Sequence, residues 1–177
     1  MEIVEKEETA ELIVRPEAKV YREKILQFRE ALAQVPGVKF GDMDECPLKH
    51  TFADGVYVRE IFIPKGMLIV GKIHRHAHPN FILKGEVSIV TESGGVQRLK
   101  APMSLISPAG TKRVVFAHED TVWITVHVTK ETDLDKIEKV VIAETYEEFD
   151  ASLSLESQKT DESNVEKMIE TIKSEGK

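Results

Sequence analysis

The chain has 177 residues, 41% of them hydrophobic and 31% charged, the profile of a folded globular protein rather than a disordered or membrane-embedded one. Its 31 acidic and 24 basic residues leave a net charge of -7, a field that repels phosphate backbones, so nucleic-acid binding is not expected. No apolar run approaches the roughly 18 residues of a bilayer span. The acidic start from Met1 to Thr9 is unlike a secretory signal, so the expected location is the cytoplasm, with no membrane attachment.

A chain of this length suits one core with terminal extensions. Residues 1–37 read as an arm and helix. Pro16 precedes Glu17 to Gln34, where Val20, Ile25, Phe28 and Leu32 fall at helical spacing, and Val35-Pro36-Gly37 ends the pattern. The lone Cys46 excludes an intramolecular disulfide and reads as a small buried residue.

Residues 38–130 change texture to short runs rich in Val, Ile and Phe, broken by Gly and Pro, the pattern of an all-β domain. The expected strands are Gly55 to Ile63, Leu68 to His76, Asn80 to Lys84, Glu86 to Thr91, Val96 to Leu99, Ser104 to Ser107, Arg113 to Ala117 and Val122 to Val128. So many short strands suit a jelly roll or small closed barrel, which leaves few exposed sheet edges. Residues 131–177 turn acidic and helical, with a short helix from Asp133 to Glu138 and a linker from Asp150 to Asn164. After it, Val165, Met168, Ile169 and Ile172 mark either a docking helix or a polar tail.

Three of the chain's six histidines lie in the run His74-Arg75-His76-Ala77-His78. In a regular strand residues two apart share a face and lie roughly 7 Å apart, so His74 and His76 pair as ligands for a divalent transition metal (Fe, Mn, Ni or Zn). His78 would lie about 13 Å from His74 on a flat strand and joins only if the backbone bends near Ala77 and Pro79. His127 is the best ligand distant in sequence; His50 and His118 are weaker. Glu60 adds a carboxylate if its side of the strand faces inward, which the alternation there does not decide.

These residues resemble the cupin superfamily from about Val56 to Val128. The first cupin motif, G-x5-H-x-H-x3-4-E-x6-G, is matched by His74, His76 and the closing Gly85. Its glutamate position falls on Asn80 counted from His76, or on His78 counted from Gly85. In the second motif, G-x5-P-x-G-x2-H-x3-N, Pro108 and Gly110 match, while Arg113 stands at the histidine position and Ala117 at the asparagine. The resemblance implies a jelly-roll barrel and frequent homodimers; the spacing already places a helix before the barrel and a helical extension after it, and Asn80, Arg113 and Glu60 are the residues expected to orient a small-molecule ligand. Because that fold hosts many chemistries, three readings stand: a metal-dependent enzyme of dioxygenase or isomerase type, a noncatalytic ligand-binding module, and a structural or assembly protein. No G-x-S-x-G elbow, phosphate loop or dinucleotide fingerprint is present.

Overall fold

A computed structural model of the chain describes residues 16–34, 43–91 and 95–155. The chain divides into two compact units, Met1–Ala143 and Glu144–Lys177. In the first, helix α1 (Pro16–Ala33) precedes strands β1 (Leu48–Ala53), β2 (Val56–Ile63), β3 (Leu68–Val70), β4 (Ile73–His74), β5 (His78–Lys84) and β6 (Glu86–Thr91). Then come β7 (Gly95–Lys100), β8 (Met103–Ser107), β9 (Val114–Ala117), β10 (Thr121–Val128), helix α2 (Leu134–Val141) and β11 (Ile142–Ala143).

The sheets run β1-β2-β10-β5-β8 and β3-β9-β6-β7, with β4 and β11 paired apart. Setting β1 and the β4/β11 pair aside, one sheet joins the first, eighth, third and sixth strands and the other the second, seventh, fourth and fifth. That is the order of an antiparallel jelly roll, so the expected barrel is the fold observed.

Alternation decides what lies between the sheets. On β10, Thr121, Trp123, Thr125 and His127 are buried while the residues between them are less so. Ile63, Ile82, Val87, Ile89, Val115, Ala117 and Trp123 form the main core, joined by Ile61, Met103 and Leu105. The interior is therefore apolar toward Ile63 and Ile82. Toward His78, Asn80, Ser107 and His127, all buried, it becomes polar.

Several elements differ from the sequence reading. The Asp54-Gly55 turn, with Gly55 at φ 76, closes a hairpin between β2 and a strand the sequence reading left out, β1. Helix α1 docks through Ile25, 4% exposed, and through the Tyr21 hydroxyl, which donates toward the Val90 (2.7 Å) and Lys112 (2.9 Å) carbonyls. Val20 and Phe28, placed by spacing on the same apolar stripe, are exposed. The short acidic helix runs on to Val141, capped by Asp133, whose carboxylate accepts from the Asp135 and Lys136 amides. It belongs with the barrel, where Ile137 and Val141 pack on Tyr57 and Lys72 Nζ lies 2.5 Å from Glu138 Oε1.

In the second unit residues 146–155 are helical, with the Thr145 hydroxyl accepting from the Glu148 amide at 3.2 Å. Residues 150–155, read as linker, thus continue a helix; the remainder of that linker and the segment after Val165 lie outside the described residues. Cys46 is buried. Among the described residues no helix is long and apolar enough to cross a membrane.

Gly85 explains the glycine that closes the first motif. It sits at φ 94 in the crossing from β5 to β6, and an added Cβ would come within 2.6 Å of the Asp120 carbonyl and 2.8 Å of Thr121 Cα. Both the left-handed backbone and the contact with fixed main chain oppose a side chain. Gly85→Ala is expected to cost about 2 to 4 kcal/mol in urea unfolding; a loss below about 1 kcal/mol would contradict this account of the crossing.

Candidate metal centre

The histidine run does not lie on one strand. After β4 the backbone bends at Arg75 and His76 and re-enters the sheet at His78. The cause is a change of neighbour: His74 pairs across to Ile142 on β11, whereas His78 pairs to Ser107 on β8. The Arg75 amide donates to Val141 O and its Nε to Ile142 O, each at 2.8 Å, which holds the bend.

The rule that places residues two apart on one face fails across such a break. His76 is exposed and is not in the group that His74 joins. His74, His78 and His127 come together instead, each offering a ring nitrogen within 4.8 Å of the others. Ring centroids are 4.2 Å apart for His74 and His78, 4.8 Å for His78 and His127, and 5.3 Å for His74 and His127, the last pair nearly parallel at 6°. Such a group could hold a metal ion.

Hydrogen bonding fixes one donor. His78 Nδ1 lies 3.0 Å from the His76 carbonyl, which can only accept, so Nδ1 carries the proton and Nε2 the lone pair. That Nε2 is buried without a partner, as is His74 Nδ1. Buried polar nitrogens are almost always satisfied, so two orphans within one group of three close imidazoles fit an ion.

Electrostatics agrees with the donor count. His74 is held well below the ordinary imidazole range by burial first, then by His78, His127, Arg113 and Arg59. His78 is lowered by burial, against the His76 carbonyl, with Arg113 adding to the lowering. His127 is pushed down to about 4 by burial, then by His78, Arg59 and His76. All three are therefore neutral at pH 7, the state a metal ligand needs.

The remaining candidates fall to different places. Asn80, fully buried, donates to the His78 carbonyl (3.1 Å) and Ser107 Oγ (2.6 Å) and accepts from the Trp123 indole (2.9 Å). Its amide is consumed in bracing the wall, with no donor left for a ligand. Glu60 does not face the interior, because Tyr57, Ile61 and Ile63 on the same strand take the inward positions. Arg113 does turn inward: its Nη2 donates to Ser107 Oγ at 2.5 Å and its guanidinium lies 5.8 Å from the centre of the Trp123 ring. His50 sits on β1, its Nδ1 2.8 Å from the Tyr57 hydroxyl, and His118 meets Ser88 Oγ at 2.7 Å, away from the cluster.

Two residues of the site were not named from sequence. Tyr57 stacks on His127 with centroids 6.0 Å apart, and Arg59, two along, carries its charge toward His74 and His127. Their signal was the period of two running Tyr57, Arg59, Ile61, Ile63, once the apolar end of that series is known to be inside.

No family model matches the sequence, and no curated protein matches it. Solved structures overlap the barrel at low identity. An RmlC-like cupin family protein with a double-stranded β-helix fold from Methanocaldococcus jannaschii shares 13% identity over 54% of this chain and 93% of its own, with a TM-score of 0.42. KdgF from Halomonas sp. shares 15% over 56% and 93%, TM-score 0.44. Ectoine synthase from P. lautus shares 12% over 64% and 88%, TM-score 0.47. The fold is defined by strand order and register, and these overlaps add nothing about ligand or reaction.

The lowered histidines set a pH response. Their folded values lie below the unfolded 6.5, that of His127 at about 4, so as pH falls below 6.5 the unfolded chain binds protons that the folded cluster refuses. The penalty is absent above pH 6.5 and grows as pH falls below it. For metal-free protein at pH 5, His127 alone is expected to contribute on the order of 1 to 2 kcal/mol of lost stability. Thermal unfolding at pH 7.5 and pH 5 checks this; a His127→Gln variant losing as much stability as the parent would contradict it.

Proposed function

We propose that the barrel is a metal-binding protein in which His74, His78 and His127 hold one divalent transition ion and a small polar molecule binds beside it. The observation that carries this reading is the pair of buried, unpartnered imidazole nitrogens, His74 Nδ1 and His78 Nε2, beside a third neutral imidazole. An all-imidazole set suits Zn, Ni or Fe better than Mn, which favours oxygen ligands.

When bound, such an ion supplies a Lewis acid that polarises an oxygen of the ligand. The chain's own part is to keep three imidazoles neutral and aimed. The His76 carbonyl sets the tautomer of His78, the β4–β11 pairing positions His74, and the Tyr57 ring lies against His127.

Protein purified without an affinity tag is expected to carry or take up about one equivalent of metal by elemental analysis and calorimetry. His74→Ala, His78→Ala and His127→Ala should each weaken binding by about a hundredfold or more, and His76→Ala by less than about threefold. Equal losses from His76→Ala and His78→Ala would overturn the assignment.

A second reading, a noncatalytic module with a structural ion, is supported by the side chains around the cluster. Asn80 is spent in hydrogen bonds and so is not offered to a ligand, and Glu60 faces away and so is not offered for proton transfer. Ligand titration separates the two readings: with a purely structural ion, small polar molecules leave the thermal midpoint of the zinc-loaded protein unchanged, whereas an ion serving a ligand gives a saturable rise.

A further inference from the structure

Arg113 is a half-buried cation with no carboxylate partner among the described residues. Beyond the single hydrogen bond to Ser107 and the Trp123 face, its Nε is buried and has no partner. Burial holds the guanidinium down at about 10, with Tyr21 acting the other way. Ser107 pairs across the sheet with His78, which sets the guanidinium next to the histidine cluster. Its charge reaches His74 and His78, and that of Arg59 reaches His74 and His127 from the β2 side.

Among the described residues no Asp or Glu figures in the charges acting on His74, His78, His127 or Arg113. A desolvated guanidinium costs several kcal/mol unless paired, and a divalent ion beside it would add to the positive excess. Among the described residues nothing supplies that negative charge, and an anionic ligand would.

We propose that the polar end of the barrel binds a small organic carboxylate, anchored by the Nε–H of Arg113 beside the three histidines. This deepens the metal reading and rests on it for the charge the ion adds. A carboxylate fits better than a phosphate because the unpartnered Nε–H lies on a planar edge of the guanidinium that matches two coplanar oxygens. Nε and Nη2 form that edge, and Nη2 has two hydrogens, of which Ser107 takes one. A tetrahedral phosphate dianion would call for further donors, and those of the neighbouring Asn80 amide are already committed.

The test uses the full chain, metal-free and zinc-loaded, titrated with pyruvate, inorganic phosphate and glycerol while the arginine Nε–H resonances are followed by 15N–1H NMR. Pyruvate is expected to move the Arg113 Nε–H resonance saturably, glycerol to leave it in place, and phosphate to bind at least about tenfold more weakly. Arg113→Lys keeps the charge but loses the fork. It should weaken pyruvate by about tenfold or more while zinc affinity changes by less than about threefold.

An Arg113 resonance unmoved by pyruvate in a zinc-binding protein would overturn the carboxylate site and leave the metal reading standing. Tighter binding of phosphate than of pyruvate would overturn the ligand class. Pyruvate moving the resonance in a protein that takes up no zinc would uphold the carboxylate site and sink the metal reading. Should Arg113→Lys fail to fold, the titration of the parent protein decides by itself.

Discussion

Burying an imidazole nitrogen with nothing to bond costs free energy that folding must recover elsewhere, and this barrel does so twice within one cluster. Much of the surrounding architecture keeps those nitrogens in place. The bend at Arg75 and His76 turns His78 inward, the β11 strand holds His74, and the register of β10 against β2 lays His127 beside Tyr57. Relaxing the bend would return His78 to a regular strand, out of reach of its two partners.

The jelly roll makes room for such a site by dividing its interior. Bulky apolar groups fill the end around Ile63, Ile82 and Trp123, where packing supplies stability. At the other end the Asn80–Ser107–Trp123 hydrogen bonds join the two regions, so the polar groups nearest the cluster are anchored to the core rather than to water. Helix α2 serves the same end from outside: Ile137 and Val141 cover Tyr57, and the strand that follows is the one that pairs with His74. A segment that reads as the start of an acidic tail is thus part of the site's frame.

What the sequence makes legible follows from how local each signal is. The strands were readable because alternation and turn residues are local, and His127 stood out because Trp123, Thr125 and His127 share the buried phase of one regular strand. The cluster itself was not, because the partner that ends β4 after His74 is Ile142, far along the chain. Glu60 and Arg59 could not be told apart by pattern, since β2 is apolar on both faces. Burial of Tyr57, Ile61 and Ile63 decides in favour of Arg59. Arg113, standing at the histidine position of the second motif, carries its charge to His74 and His78, which changes what the site asks of a ligand more than a missing histidine would.

The most direct measurement is anomalous scattering from a crystal of the zinc- or nickel-loaded protein, collected on either side of the metal's absorption edge. A single peak bonded at about 2.0 to 2.1 Å to nitrogens of His74, His78 and His127, with His76 turned away, is the result predicted. A peak at His76, or strong density elsewhere with the three buried rings left empty, would contradict it.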